Sequence, residues 1–341
     1  KTNLLLDTHL LRIACTTPTA DSPIGVFDSG VGGLSVYRHL RQQLPYERYL
    51  YYADTKHVPY GSRTAEDISH LALTGIDWLI AQGCKLVVVA CNSASAHALN
   101  QARLRYPTIP IVGLVPALKP ALAYVQAKNA QLTQASANLN NHMSNHLSSH
   151  VAVLATMATL HGQPLNDVMA QFATPHGIRV SKWYEPALVP WVERGMPPTD
   201  ATAERLCKML MQFAKQRVQA IVLGCTHYPF FKEFLLNQMV VQGYDMALFD
   251  SGDAVARRVK QLLAEQGLLI SQKNIPQKNM PQKNTLAVSN QSSNLHSKPN
   301  PHQLQFFATA MTQGLSELVI KLCGEEVMVD AIDVMVDKND G

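Results

Sequence analysis

The chain has 341 residues, a hydrophobic share of 47%, a charged share of 16% and a formal net charge of +4. That length exceeds what one small core usually serves and predicts two lobes or domains, while so weak a charge with no dense Lys/Arg run argues against nucleic-acid binding. No run reaches the roughly 18 apolar residues of a membrane helix, and the six cysteines form neither a CxxC pair nor a disulfide ladder, which fits a reducing cytoplasm.

Residues 1–22 read as an extension, because the apolar stretch from Leu4 to Ile13 is broken by Asp7, Thr8, His9 and Arg12, unlike a signal peptide. From Pro23 onward, short apolar runs alternate with amphipathic stretches. Strands are predicted over 24–27, 49–53, 86–90, 109–113, 151–155, 178–180, 220–223 and 247–249. Val87-Val88-Val89-Ala90 is apolar at every position, as a parallel strand covered on both faces should be, so the rhythm predicts an α/β fold.

After the first strand, Asp28-Ser29-Gly30-Val31-Gly32-Gly33 opens a helix over 34–44. It is neither GxGxxG nor a P-loop, but its glycines allow a close approach of backbone to a ligand. Asp28 reads either as a helix N-cap or as a group that assists a thiol or grips a substrate ammonium. Asp54 marks the end of the second strand, Pro59-Tyr60-Gly61-Ser62 forms a turn beyond it, and Thr64 to Asp67 resembles a capping box for a helix over 65–82. Residues 129–150, rich in Asn, Ser, His and Gln, and 271–303, with its Gln-Lys-Asn repeats, read as polar insertions. Strand and helix patterns resume over 304–322 and 327–332.

Two segments echo each other. Val87-Val-Val-Ala-Cys91-Asn-Ser93 and Ile221-Val-Leu-Gly-Cys225-Thr-His227 each read as buried strand, small residue, cysteine, polar residue and helix start. Ligands of open parallel sheets sit beyond the carboxyl ends of strands, so both thiols stand where chemistry is done, and 134 positions of separation (225 minus 91) let each come from its own lobe. Inverting an amino-acid α-carbon requires a base on one face and an acid on the other. A thiol, with an ordinary pKa of ~8.5 that falls at a helix N-terminus, can serve as either near neutral pH. Helices predicted over 95–105 and from about 229 would place N–H groups and dipoles behind both sulfurs, and the same donors would suit a substrate carboxylate.

The plain alternative for any free cysteine is a small buried hydrophobe. It suffices for Cys15, Cys84, Cys207 and Cys323, and accounts poorly for Cys91 and Cys225 in their matching settings. His227 reads equally as a proton-relay neighbour of Cys225 or as a hydrogen-bonded core histidine. A zinc half-site at Cys225 and His227 lacks a second ligand pair, so no metal is expected.

The strings Ile24-Gly-Val-Phe-Asp-Ser-Gly-Val-Gly-Gly-Leu34, Tyr52-Ala-Asp-Thr-Lys56, Pro59-Tyr-Gly61, Ala90-Cys-Asn-Ser-Ala94, Leu223-Gly-Cys-Thr-His-Tyr-Pro229 and Asp250-Ser-Gly-Asp253, with Phe306-Phe-Ala-Thr309 beyond them, resemble the glutamate racemases of the aspartate/glutamate racemase superfamily. The resemblance implies two pseudo-symmetric lobes, each a parallel-sheet α/β sandwich, with the active site between them. The first lobe would hold 23–115, 232–270 and 304–341, and the second 116–231. It implies a reaction without pyridoxal phosphate or any other cofactor, in which Cys91 is the base for D-glutamate and Cys225 the base for L-glutamate. Asp28 would assist the first thiol and His227 the second, with Glu193 of Leu188-Val-Pro-Trp-Val-Glu193 helping the latter. Asp28, Ser29, Tyr60, Gly61, Asn92, Ser93, Thr226 and His227 would contact the substrate.

The chain departs from the family pattern at Ser93, where many members carry Thr, and in its two insertions. Its extension is similar to that of members activated by a peptidoglycan-precursor nucleotide, and a homodimer is among the assemblies the resemblance allows. The expected role is supply of D-glutamate for peptidoglycan in the cytoplasm. The competing readings are a racemase of aspartate or another small acid using the same thiols, and a non-catalytic two-lobed solute-binding protein.

Overall fold

The computed structural model describes residues 17–138, 149–270 and 304–332. Most of the extension, Cys15, the core of the first polar insertion and all of 271–303 lie outside the described residues. The chain opens with β1 (Ile24–Asp28), α1 (Leu34–Gln43), β2 (Tyr49–Ala53), α2 (Ala65–Ala81), β3 (Leu86–Val89), α3 (Asn92–Arg105) and β4 (Ile111–Gly113). These strands pair in parallel in the order β2-β1-β3-β4, with Asp28 opposite Ala53 and Phe27 opposite Val89. Side chains alternate across the sheet. Val26, Tyr51 and Val88 pack with Leu34, Tyr37 and Leu40 of α1, while Phe27, Tyr52, Val87 and Val89 pack with Ile68, Leu71 and Ile76 of α2 and Ala94 and Ala98 of α3. Burial on both faces is what the unbroken valines require. At the start of α2 the Thr64 hydroxyl accepts the Asp67 N–H at 3.2 Å, as the capping pattern predicts.

The second lobe repeats the plan. After α4 (Leu118–Asn138) come β5 (His150–Leu154), α5 (Met157–His161), α6 (Gln163–Val168), β6 (Arg179–Trp183), α7 (Leu188–Glu193), α8 (Thr202–Lys215), β7 (Ala220–Leu223), α9 (Lys232–Gln242) and β8 (Ala247–Phe249). The parallel order β6-β5-β7-β8 reproduces β2-β1-β3-β4 strand for strand. The chain then returns through α10 (Gly252–Glu265), and β9 (Leu304–Ala308), α11 (Leu315–Cys323) and β10 (Met328–Ala331) complete the first lobe, with β9 against β2 and β10 at the edge. At the crossing between lobes, the Ser251 hydroxyl donates to the carbonyl of Val115 at 2.8 Å and pins the two connecting segments together.

Three expectations need correction. The return to the first lobe comes at Gly252 and not at residue 232: Leu235 and Met239 of α9 are buried with Trp191, Leu210 and Phe213 of the second lobe, and β8 pairs with β7. The first polar stretch is not wholly an insertion, because α4 runs on through Asn129 to Asn138. The Asn129 amide donates to Ser149 at 2.8 Å and accepts from Gln219 at 2.8 Å, so polar composition there serves to join strand starts. Finally, α3 begins at Asn92, three residues earlier than the periodicity suggests, because Cys91 itself caps it.

A buried ion pair fastens the far end of the first lobe. Lys85 Nζ lies 2.5 Å from Glu47, both side chains fully buried, and also donates to the carbonyls of Ala20 and Leu268 at 2.6 and 2.9 Å. Glu47 in turn accepts the N–H of Ile270 at 2.9 Å. The pair therefore holds both the segment entering β1 and the one leaving α10.

Candidate active site

The two lobes meet at the carboxyl ends of β1, β3, β5 and β7 around a narrow cavity with room for little more than a water molecule. Ser29, Tyr60, Gly61, Cys91, Asn92 and Ser93 line it from the first lobe, and Cys225, Thr226 and His227 from the second. Cys91 and Cys225 thus face one space. Asp28 and Glu193 do not line it; they stand behind the wall and act on it through other side chains.

On the first side, Cys91 is the N-cap of α3, its sulfur 3.5 Å from the N–H of Ala94 and 3.7 Å from the Ser29 hydroxyl. The lowered thiol pKa expected of a helix N-terminus is not what the site produces. Burial pushes the Cys91 thiol up to about 12, with the Asp28 charge acting in the same direction, and the Ala94 N–H and Ser29 hydroxyl offset only part of this. Cys91 is therefore a thiol at neutral pH. Asp28, fully buried, accepts from the Gly30 N–H at 2.8 Å and the Thr226 hydroxyl at 3.1 Å. Burial raises its carboxyl to about 7, against the opposing pull of the His227 charge. Since α1 is capped by Gly33, Asp28 is not a helix cap.

Cys225 has a different support. A 3-10 turn, Tyr228–Phe231, separates it from α9, so no α-helix N-terminus lies directly behind it, contrary to the sequence expectation. Its partner is His227, whose Nδ1 lies 3.7 Å from Cys225 Sγ and whose Nε2 lies 2.6 Å from a Glu193 oxygen. Burial alone would lower the His227 pKa, yet the bonds to Cys225 and Glu193 and their charges prevail and hold it well above the usual imidazole range. The same Glu193 oxygen accepts the Val31 N–H at 3.0 Å, across the lobe boundary.

The glycine-rich turn makes this contact physically allowed. A Cβ at Gly30 would collide with the Glu193 carboxylate, and one at Gly32 with the His227 ring and the Thr226 hydroxyl. The glycines thus admit the opposite lobe, where the sequence pointed only to a ligand. The Ser35 hydroxyl adds a bond to the Thr226 carbonyl at 2.7 Å.

Sequence reasoning did not single out Thr156 or Val189, which complete the wall. Thr156 caps α5 and shares a 2.9 Å bond with Ser93. The internal repeat held the signal: Thr156 ends β5 much as Asp28 and Ser29 end β1. Asn92 contributes a buried Oδ1 with no hydrogen-bond partner, an acceptor in a cavity otherwise rich in hydroxyls.

A family model described as Asp/Glu/Hydantoin racemase matches residues 24–259. The chain is 43% identical over 252 residues to a glutamate racemase of Deinococcus radiodurans, covering 74% of this chain and 78% of that one. A glutamate racemase of Ralstonia nicotianae is 32% identical over 318 residues, covering 93% and 95%. Among solved structures, the Escherichia coli glutamate racemase in complex with L-glutamate and the activator UDP-MurNAc-ala superposes with a TM-score of 0.64 at 26% identity, covering 91% of this chain and 98% of that one.

Proposed function

The chain belongs to the glutamate racemases of the Asp/Glu/hydantoin racemase family, and from this we infer that it interconverts L- and D-glutamate by a two-base reaction between Cys91 and Cys225. The observation that carries the mechanism is that both sulfurs line one cavity from opposite lobes. In the L-to-D direction the Cys225 thiolate takes the α-proton, and Cys91 delivers its own proton to the other face. Each turnover leaves the two sulfurs with exchanged protonation, and the reverse direction uses the exchanged state.

The electrostatics support this division. Cys91, held as a thiol by burial, is suited to be the donor, and Cys225 faces an imidazole whose pKa is raised by its contacts with Cys225 itself and with Glu193, the partner a thiolate needs. Asp28 acts through Thr226 and on Cys91 by its charge. The hydroxyls of Ser29, Ser93 and Thr226, the Asn92 amide and the backbone at Tyr60 and Gly61 hold the carboxylates and ammonium of glutamate. On this reading the product serves peptidoglycan synthesis and the protein works in the cytoplasm. Separately, no described helix is long and apolar enough to cross a membrane. A peptidoglycan-precursor nucleotide is the activator to test, and a homodimer the assembly to test by solution mass.

Incubation with L-glutamate in deuterated water tests the reading: D-glutamate forms carrying deuterium at the α-carbon, and aspartate under the same conditions does not turn over. Cys91→Ala and Cys225→Ala each abolish racemisation. Substantial turnover by either variant, or no exchange by the parent, refutes the mechanism.

A further inference from the structure

Two of the strings that mark this chain, Tyr52-Ala-Asp-Thr-Lys56 and Phe306-Phe-Ala-Thr309, have no part in the chemistry above, yet the structure brings them together beside the cavity. Asp54, 2% exposed, directly follows β2. Its backbone N–H donates to the carbonyl of Asp28 at 3.0 Å, which ties it to the end of β1. One carboxylate oxygen accepts the Tyr60 hydroxyl at 2.6 Å. The other accepts the Thr309 hydroxyl at 2.8 Å and lies 2.8 Å from His57 Nδ1.

Thr309 directly follows β9, the strand by which the chain, already back in the first lobe, returns to its sheet beside β2. Its hydroxyl also accepts the Lys56 N–H at 3.0 Å, and the neighbouring Ala310 and Thr55 exchange two hydrogen bonds of 2.6 and 2.9 Å. The loop from Asp54 to Ser62 is therefore fastened on one side to the returning strand. On its other side, Tyr60 and Gly61 face the cavity, and Gly61 lies so close to Thr156 of the opposite lobe that a Cβ there would strike its side chain.

We propose that Asp54 is a positioning residue for the racemase reaction: it holds the Tyr60 hydroxyl so that the Tyr60–Gly61 wall meets the substrate and the opposite lobe, and Thr309 braces it from the returning strand. The carboxylate stays out of the proton transfers, since it touches no cavity atom except through Tyr60. The buried Tyr60 phenol is kept protonated and remains a donor to it. Held from two sides, the carboxylate fixes the loop without a side-chain entropy cost at the moment of binding.

This inference rests on the racemase reading, and the two can fail separately. Failure of the parent protein to racemise glutamate defeats that reading, whereas an active parent with indifferent variants defeats only this one. Asp54→Asn and Tyr60→Phe are each expected to raise the KM for D-glutamate about tenfold, equal to about 1.4 kcal/mol, with a much smaller change in kcat, the pattern of lost binding geometry. The double variant should show much less than the product of the two single effects, because both substitutions remove the Asp54–Tyr60 hydrogen bond. Thr309→Val should raise KM in the same manner and Thr309→Ser should restore it, a rescue that general loss of packing would not give. If Asp54→Asn does not fold, Tyr60→Phe and the Thr309 pair decide alone. A parental KM in Thr309→Val and Tyr60→Phe, or effects that multiply to about a hundredfold in the double variant, overturns the proposal.

Discussion

Glu193 and His227 share a 2.6 Å contact within the second lobe, and the same Glu193 oxygen accepts the Val31 N–H of the first. One carboxylate thus joins Cys225 in raising the pKa of the imidazole and also closes the lobe boundary. Glu193→Gln keeps the shape and removes the charge, so the His227 pKa should fall and kcat/KM should drop by about ten- to a hundredfold. Because the equilibrium constant between enantiomers is one, the drop must be equal from L- and D-glutamate. Titration of the His227 ring by NMR checks the cause: an unmoved imidazole pKa means that Glu193 is not what charges it.

Asp28 should make stability depend on pH. Its carboxyl rises from 3.8 to about 7 on burial, so between these values the folded protein holds a proton that the unfolded chain releases. The stability this confers is complete below about pH 4 and lost as pH rises through about 7, amounting to about 4 kcal/mol at most. Asp28→Asn, which does not titrate, should therefore be inactive yet gain stability over the parent as pH rises from 5 to 8. Denaturant midpoints at the two pH values measure this, and a difference that is flat with pH contradicts the assignment.

Gly32→Ala tests the close approach of the lobes. The added methyl would meet the His227 ring and Thr226 hydroxyl, and displacing His227 by about 1 Å should cost about a hundredfold in kcat/KM. The fold of each lobe should survive, as read by circular dichroism. Full activity in this variant would mean that the contact is not formed in the working enzyme.

The buried Lys85–Glu47 pair should be costly to break and cheap to remove. Lys85→Met leaves Glu47 buried without its cation and should destabilise the protein by about 3–5 kcal/mol. The double variant Lys85→Met, Glu47→Leu should recover much of that loss. Unfolding by denaturant gives both values; equal losses in single and double variants would show that the bonds to Ala20, Leu268 and Ile270 matter more than the pair.

The paired cysteines are legible in the sequence because their signal is local: an unbroken apolar strand, a small residue and a polar helix start can be read within seven positions. Parallel order and the covered faces follow from the same valines. Cys91 as an N-cap and the rise of its pKa are not legible, since burial in the tertiary structure outweighs a helix-end effect that spacing alone suggests. Thr156 stays hidden for a related reason, as its importance comes from facing Ser93 across the boundary. The return of the chain at Gly252 is masked because α9 and β8 carry the same apolar patterns whichever lobe buries them, and Asn129 misleads because polar composition does not reveal that its amide has partners.

The order of strands in the first sheet carries a consequence for synthesis. Residues 118–249 supply every strand of the second sheet, whereas β2 must wait for β9, which begins at Leu304. On the ribosome the second lobe can close while Tyr49–Ala53, all buried in the finished protein, still presents an unpaired apolar edge. Such an edge is a template for mispairing with other chains, so a nascent chain stalled between these points is the species most in need of a chaperone.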